Sequence, residues 1–152
     1  MATKTTLRAE IRGRRRARRA LSSPQMGARP SHTYQAPLPV HHRAEAEGIA
    51  SQVRALASSM GGVTLPALFV STPLEPDMSL ALRLFPRALL PILFDEAGDA
   101  LGEPRWGLWE AGSALATPGP PPAQPAGEAL GSQALAGADL ILIPALAASE
   151  DG

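Results

Sequence analysis

The chain contains no cysteine. It can therefore form neither a disulfide framework nor a thiolate metal site, which fits a reducing compartment, and we expect a cytoplasmic protein. No apolar run approaches the roughly 18 residues that a membrane-spanning helix needs. We find no charged start followed by an apolar core and a cleavage site, so we expect no secretory signal. Net charge is also missing, with 14 basic and 14 acidic residues, so total charge gives no reason to expect nucleic acid as a partner.

What the chain has is enough apolar sequence for one core. It is 152 residues long, 45% hydrophobic and 18% charged, which is typical of a globular domain. We therefore expect a single α/β domain over residues 1–152. The 16 prolines cluster between the candidate helices and strands and mark loops. The longest of these, residues 22–42, is predicted to be a flexible loop.

Basic residues are concentrated at the amino terminus, within a predicted helix over residues 3–21. Five of them recur at three- and four-residue spacing and define one face, which we call the basic stripe: Lys4, Arg8, Arg12, Arg15 and Arg19. Three interpretations are open. The helix could be a solvated surface helix docked by Leu7 and Ile11, a nucleic-acid-binding or targeting arm, or a clamp for phosphate groups in which the first cations matter.

Further periodic segments predict an α/β sheet. A helix is expected over residues 43–60, and strands over residues 67–71, 88–94 and 138–146. The last of these is a continuous apolar run, which indicates a strand buried on both faces of a parallel sheet. Because Pro91 interrupts the segment over residues 88–94, we expect that segment to form an edge strand or to contain a bulge. The fold class is therefore α/β, with an open, mostly parallel sheet, helices on both faces, and an incomplete carboxyl-terminal end.

Two candidate carboxylates follow the strand over residues 67–71. In open parallel sheets, ligands bind beyond the carboxyl ends of the strands, so this loop should face a site. Asp77 is interpreted as a cap for the following helix. Glu75 could equally be a solvated residue or a ligand-binding one. Further along, Trp106 and Trp109 fall in a short predicted strand and are expected to project to one face, as core or lid residues.

The ordered set of motifs resembles the 5-formyltetrahydrofolate cyclo-ligases, also called methenyltetrahydrofolate synthetases. The set comprises Lys4-Thr5-Thr6-Leu7-Arg8, the strand and loop from Phe69 to Asp77, Trp106-Gly107-Leu108-Trp109, Pro122-Ala123-Gln124-Pro125, and Asp139 to Leu146. The resemblance covers nearly the whole chain in the family's order. It implies ATP-dependent, Mg²⁺-assisted conversion of 5-formyltetrahydrofolate to 5,10-methenyltetrahydrofolate, with release of ADP and phosphate.

The resemblance also assigns residues. Lys4 and Arg8 match the family's ATP-binding positions, and Val70 and Glu75 match its substrate-binding positions. It implies small-molecule partners, a folate and ATP, rather than a membrane or a nucleic acid, and we expect a monomer. No residue is assigned to a metal. The family's glycine-rich ATP loop should begin just after Gly152, so we expect these residues alone to have little or no activity. The alternatives are nucleic-acid binding or targeting through the basic helix, and a degenerate, non-catalytic copy.

Overall fold

The computed structural model describes residues 4–22, 40–72, 74–120 and 122–145. In chain order its elements are α1 (Lys4–Ser22), α2 (Val40–Ser59), β1 (Pro66–Ala67), α3 (Ser79–Leu82), β2 (Arg87–Phe94), β3 (Ala100–Glu110), β4 (Leu115–Ala116), β5 (Gln124–Pro125), a 3₁₀ helix (Ser132–Gly137) and β6 (Leu140–Ile141). None of the helices in these ranges is both long and apolar enough to cross a membrane.

Four strands form a mixed sheet in the order β3-β2-β1-β6. β1 pairs in parallel with both β2 and β6, whereas β2 and β3 form an antiparallel hairpin. A second, two-stranded sheet joins β4 and β5. The expectation of an α/β fold with a mostly parallel sheet is confirmed in part, since two of the three strand pairs in the four-stranded sheet are parallel. Helices on both faces remain a prediction. Of the predicted loop over residues 22–42, residues 23–39 lie outside the described ones, and residues 40–42 instead form the first turn of α2.

The core lies between one face of this sheet and the helices α2 and α3. Buried side chains from every layer meet there: Ala50, Val53, Leu68, Val70, Met78, Ala81, Leu82, Phe85, Ala88, Leu90 and Trp109. The sheet members of this set alternate along their strands, as side chains on one face must. Burial of these apolar side chains between the sheet and the two helices stabilises the domain more than the intrinsic stability of either helix does.

Pro91 explains why β1 is short on its β2 side. Leu68 N–H donates to Leu89 O, and Leu142 N–H donates to Ala67 O, which are regular parallel bonds on the two sides of β1. The next donor from β2 to β1 would be Pro91, and proline has no N–H. The ladder between β1 and β2 therefore stops there, and the chain leaves the sheet into the loop over residues 71–77.

The position of Pro91 corrects the expectation of an edge strand. Pro91 lies in the central strand β2, paired with Trp106 of β3. It is tolerated because its nitrogen faces β1, where the ladder ends, and not β3. The register shifts further along, between Ile92 and Phe94, and β2 continues through Pro91 to Phe94, so the strand does not end early at the proline.

The two tryptophans do not share a face, so that expectation was wrong. They are three residues apart in one regular stretch of β3, and an odd spacing puts side chains on opposite faces. Trp109 is 6% exposed, belongs to the core and donates from Nε1 to Ser113 O at 3.0 Å. Trp106 is half-buried on the other face, and its backbone exchanges two hydrogen bonds with Leu130.

The strand expected to be buried on both faces is buried on only one. Leu140 is 9% exposed and Leu142 packs against the core, whereas Ile141 is 48% and Ile143 is 75% exposed. β6 lies at the edge of the sheet and keeps one apolar face open. A 3₁₀ helix, Ser132–Gly137, leads into β6.

Candidate functional site at the carboxyl edge of the sheet

Three chain segments meet at one edge of the sheet. Because β1, β2 and β6 run parallel, their carboxyl ends point the same way. The loop over residues 71–77 follows β1, Phe94 ends β2, and residues 142–145 follow β6. We call this the carboxyl edge, and it is where parallel sheets hold their ligands.

Arg15 of α1 connects two of these segments. Its Nη1 donates to Leu74 O at 3.3 Å and its Nη2 donates to Ala145 O at 3.4 Å, contacts that span 59 and 130 residues of sequence. The side chain is half-buried, as is that of Ile11 one turn earlier. The face of α1 that contains Ile11 and Arg15 therefore docks on the carboxyl edge, and it brings a cation next to the loop that carries Glu75.

The remaining cations of the basic stripe extend along α1 from that anchor. Arg8 and Arg12 are exposed, and Arg8 precedes Arg15 by seven residues, which is about two helical turns, or roughly 10 Å, on nearly the same face. Lys4 and Arg19 lie in the helix, but their side chains are outside the described residues. Arg14, off the stripe, pairs with Glu10 at 2.6 Å.

Glu75 is held by its own loop. Its Oε2 accepts a hydrogen bond from Thr72 N–H at 2.7 Å, and its N–H donates to Thr72 O at 3.1 Å. Ser71 closes the loop from the other side, because its hydroxyl donates to Pro76 O at 2.6 Å and accepts from Met78 N–H at 3.0 Å. The half-buried Glu75 carboxylate is thus fixed in place on a small, internally bonded loop at the carboxyl edge.

Asp77 and Val70, the other two residues considered in this region, contact their own loop and the core. Asp77 Oδ1 accepts a hydrogen bond from the N–H of Ser79, the first residue of α3, at 2.8 Å. The N-cap position of α3 is Met78, without a side-chain cap, so Asp77 lies one residue before the capping position and its interpretation as the helix cap is wrong. Val70 is 3% exposed and lies within the core, at the base of the loop. Its side chain faces apolar neighbours, and its assignment to a substrate stays a prediction.

Gln124 is a residue whose role sequence reasoning did not identify. It is 5% exposed, and its Oε1 accepts from the N–H groups of Leu93 and Phe94 at 3.0 and 3.1 Å, while its Nε2 donates to Phe94 O at 2.7 Å. One side chain thereby closes the carboxyl end of β2. The available signal was a glutamine between prolines in an otherwise polar-poor loop, where a buried amide must find all its partners.

Asp139 fixes the opposite edge, at the start of β6. Its Oδ2 accepts from the N–H and hydroxyl of Thr64, and its Oδ1 accepts from Leu65 N–H at 3.1 Å. These hydrogen bonds, the one from the Thr64 backbone first, hold the pKa of Asp139 below its ordinary value although the carboxylate is exposed. The carboxylate ties the entry of β1 to that of β6.

Neither a metal-binding cluster nor a cavity is found next to Glu75 among the described residues. Among the described residues, no three His, Asp or Glu side chains come together as a metal-binding group. A shallow, open depression of about 250 Å³ is lined by Leu108, Trp109, Ser113 and Pro125 among others. Neither Glu75 nor the basic stripe lines it.

Neither family models, nor curated proteins, nor solved structures match this chain.

Proposed function

We propose that the carboxyl edge of this chain binds ATP and a folate, in a domain similar to the 5-formyltetrahydrofolate cyclo-ligases. The ordered sequence motifs suggest the family. The observation that supports a shared site is the pair of hydrogen bonds from Arg15 to Leu74 O and Ala145 O. They join the helix of the basic stripe to the loop of Glu75, and the two predicted binding elements therefore belong to one edge of one sheet.

In this proposal the basic stripe carries the polyphosphate. Attack of the formyl oxygen on the terminal phosphate of ATP gathers negative charge on the transferred group, and fixed cations offset that charge. Arg8 is exposed, about two turns from the docked Arg15, and is free of the loop contacts that engage Arg15. The resemblance gives Lys4 the same role one turn earlier.

Glu75 would bind the folate. A carboxylate whose loop is already closed by hydrogen bonds needs little reorganisation to accept hydrogen bonds from an amino or amide group of a ligand. The bond from Thr72 N–H engages Oε2 and sets the orientation of the carboxylate. Val70 would contribute by fixing the base of this loop in the core.

Magnesium enters the proposal only through the resemblance. The described residues offer no group of carboxylates or histidines that fits a protein-bound ion. We therefore assign no metal ligand and derive no step through the metal. ATP fits better, because exposed guanidinium groups in a row on one helical face suit a chain of phosphates.

The test is ligand binding by the 152-residue chain. Titration with 5-formyltetrahydrofolate and with ATP, followed by calorimetry, should give measurable binding of both. Arg8→Gln should weaken ATP binding by about tenfold, as expected for one lost charge-assisted contact. Arg87→Gln, an exposed arginine at the opposite end of β2, is the matched control.

Glu75 is tested by two substitutions. Glu75→Gln keeps an acceptor for Thr72 N–H and removes the charge, whereas Glu75→Ala removes both. Loss of folate binding in both variants, with unchanged ATP binding, would support the proposal. Absence of folate binding by the unmodified chain would contradict it.

A second candidate, nucleic-acid binding, is favoured by one observation. Arg8, Arg12 and Arg16 are all exposed on α1, a geometry that suits a phosphate backbone as well as a nucleotide. Fluorescence anisotropy with a labelled RNA or DNA would show affinity that falls steeply with salt. No binding at low salt would remove this candidate, and ATP competition would distinguish a shared anion site from a separate one.

A further inference from the structure

Arg15 differs from Arg8 of the same stripe in what it contacts. Arg8 is exposed, whereas the guanidinium group of Arg15 donates to Leu74 O and to Ala145 O. Leu74 directly precedes Glu75 in the loop after β1, and Ala145 lies beyond the end of β6. The charge of Arg15 is therefore engaged by the chain itself, at two points of the carboxyl edge.

The docking of α1 on the carboxyl edge depends on a small set of contacts. The two bonds of Arg15 are 3.3 and 3.4 Å long, and both acceptors are uncharged carbonyl groups. Ile11, one turn earlier on the same face, is only half-buried. Among the described residues, α1 makes no extensive contact with any other helix or strand. Each bond of this kind changes an equilibrium by about two- to tenfold, so the docked position of α1 is favoured by a modest margin.

Both ligands of the proposed function bind best when α1 is docked. The terminal phosphate of ATP has to reach the formyl oxygen of a folate held at Glu75, so cations on α1 serve that phosphate only while the helix lies against the edge. The loop of Glu75 is in turn fixed at Leu74 only while Arg15 is bonded. A ligand that binds one state of an equilibrium better shifts the equilibrium towards that state. Each ligand should therefore hold α1 in place for the other.

We propose that Arg15 is a positioning residue that pre-organises this site by holding α1 docked before either ligand arrives. Its guanidinium group acts on the chain rather than on a ligand. The inference rests on the proposed function, since it requires ATP and a folate to share the carboxyl edge. Without Arg15, only a fraction of the molecules is docked, and the apparent affinity for each ligand falls by that fraction. A first bound ligand restores docking, and with it the affinity for the second.

Calorimetry of the full 152-residue chain tests this, by titration with 5-formyltetrahydrofolate with and without a saturating β,γ-imido analogue of ATP. The analogue cannot transfer its terminal phosphate, so only binding is measured. Arg15→Gln should bind the folate alone about fivefold more weakly than the unmodified chain, and the analogue should restore most of that loss. The factor by which the analogue improves folate affinity should thus be about fivefold larger in Arg15→Gln. The reverse titration should give the same factor, because coupling between two ligands is reciprocal.

Two further variants separate docking from charge. Arg14→Gln removes the same charge from the neighbouring position, where the guanidinium group pairs with Glu10 of its own helix, and should leave both affinities unchanged. Ile11→Ala weakens the docked face without changing any charge, so it should reproduce the effect of Arg15→Gln. Ile11→Ala also provides the test if Arg15→Gln does not fold.

Two results would overturn the role of Arg15 while leaving the proposed function intact. If Arg15→Gln loses affinity for the ATP analogue and bound folate does not restore it, Arg15 contacts the phosphates directly. If Arg15→Gln and Ile11→Ala both bind the two ligands as the unmodified chain does, the site does not depend on the docking of α1. Failure of the unmodified chain to bind either ligand is a different outcome, because it overturns the proposed function and this inference with it.

Discussion

Asp139 and Thr64 are joined by two hydrogen bonds across 75 residues of sequence, one from the Thr64 N–H at 2.6 Å and one from its hydroxyl at 2.8 Å. The same carboxylate also accepts from Leu65 N–H. It therefore fixes the entry of β1 against the entry of β6. This is the edge opposite the candidate site, and the parallel register of the two strands depends on it.

Replacing Asp139 by Asn should lower stability at neutral pH more than in acid. The Thr64 backbone bond lowers the pKa of Asp139 in the folded state, so its stabilising effect is present above the unfolded pKa of about 3.9 and is lost as pH falls through the folded pKa. Urea unfolding of both proteins from pH 7 to pH 2 should show the difference shrinking below about pH 4. A difference independent of pH would contradict the assignment.

Gln124→Ala should destabilise the fold by about 2–4 kcal/mol. The substitution removes the partner of the Leu93 and Phe94 N–H groups and of the Phe94 C=O, all in a partly buried position. A fully buried group costs about 1–3 kcal/mol when left unsatisfied, and partial access to water lowers that cost. Urea denaturation measures the loss. Gln133→Ala, on the exposed side of the 3₁₀ helix, should change stability by less than about 0.5 kcal/mol. Equal effects of the two would show that the bonds of Gln124 contribute little.

The positions of the helices and strands along the chain were largely predictable from the sequence, but the order of the strands in the sheet was not. Periodicity indicated α1 and α2 within a few residues, and apolar runs located β1, β2 and β6. Strand order depends on which segments meet, and no local pattern states that. Pro91 suggested an edge because proline cannot donate. It is tolerated in a central strand because its nitrogen faces β1, where the ladder ends at this proline, and not β3. The apolar run of β6 similarly suggested two covered faces where the described structure covers one.

The candidate site was predictable as a location and less so in its residues. The sheet-end rule indicated the loop of Glu75, and charge spacing indicated the basic stripe. Neither could show that Arg15 contacts the loop, since that contact is set by how α1 docks. Gln124 and Asp139 were also beyond local inference, because their partners lie 30 and 75 residues away.

Gly107→Ala should destabilise the chain by about 1–3 kcal/mol, the usual range for overpacking. A Cβ at Gly107 would lie 2.9 Å from Ile92 Cδ1 and 2.9 Å from Pro125 Cβ, closer than such atoms approach. Either β5 must move away from the hairpin or the strand must shift. Thermal unfolding should show a fall of about 2–4 °C per kcal/mol for a chain of this size. Gly102→Ala, in the same strand with open space around it, should be far milder, and similar midpoints for the two would contradict the close approach.

Arg15→Gln should loosen the carboxyl edge without unfolding the core. The guanidinium group reaches Leu74 O and Ala145 O together, and a shorter amide cannot span both acceptors. The bonds are long and the side chain is only half-buried, so we expect a global loss of about 1 kcal/mol at most. The local effect should be larger. Amide hydrogen exchange should accelerate in peptides that cover residues 74–78, where the loop of Glu75 loses its contact with α1.

Arg16→Gln provides the matched control for this effect, because Arg16 is the next residue of α1, equally basic, and exposed. Its exchange pattern over residues 74–78 should equal that of the unmodified chain. Arg15→Lys separates charge from geometry, since lysine keeps the charge but cannot donate to both carbonyl groups from a planar fork. If Arg15→Lys behaves like Arg15→Gln, the contact of α1 with the loop depends on the two hydrogen bonds of the guanidinium group and not on its charge. Unchanged exchange in all three variants would mean that α1 does not dock on the loop, and the shared site would lose its structural support.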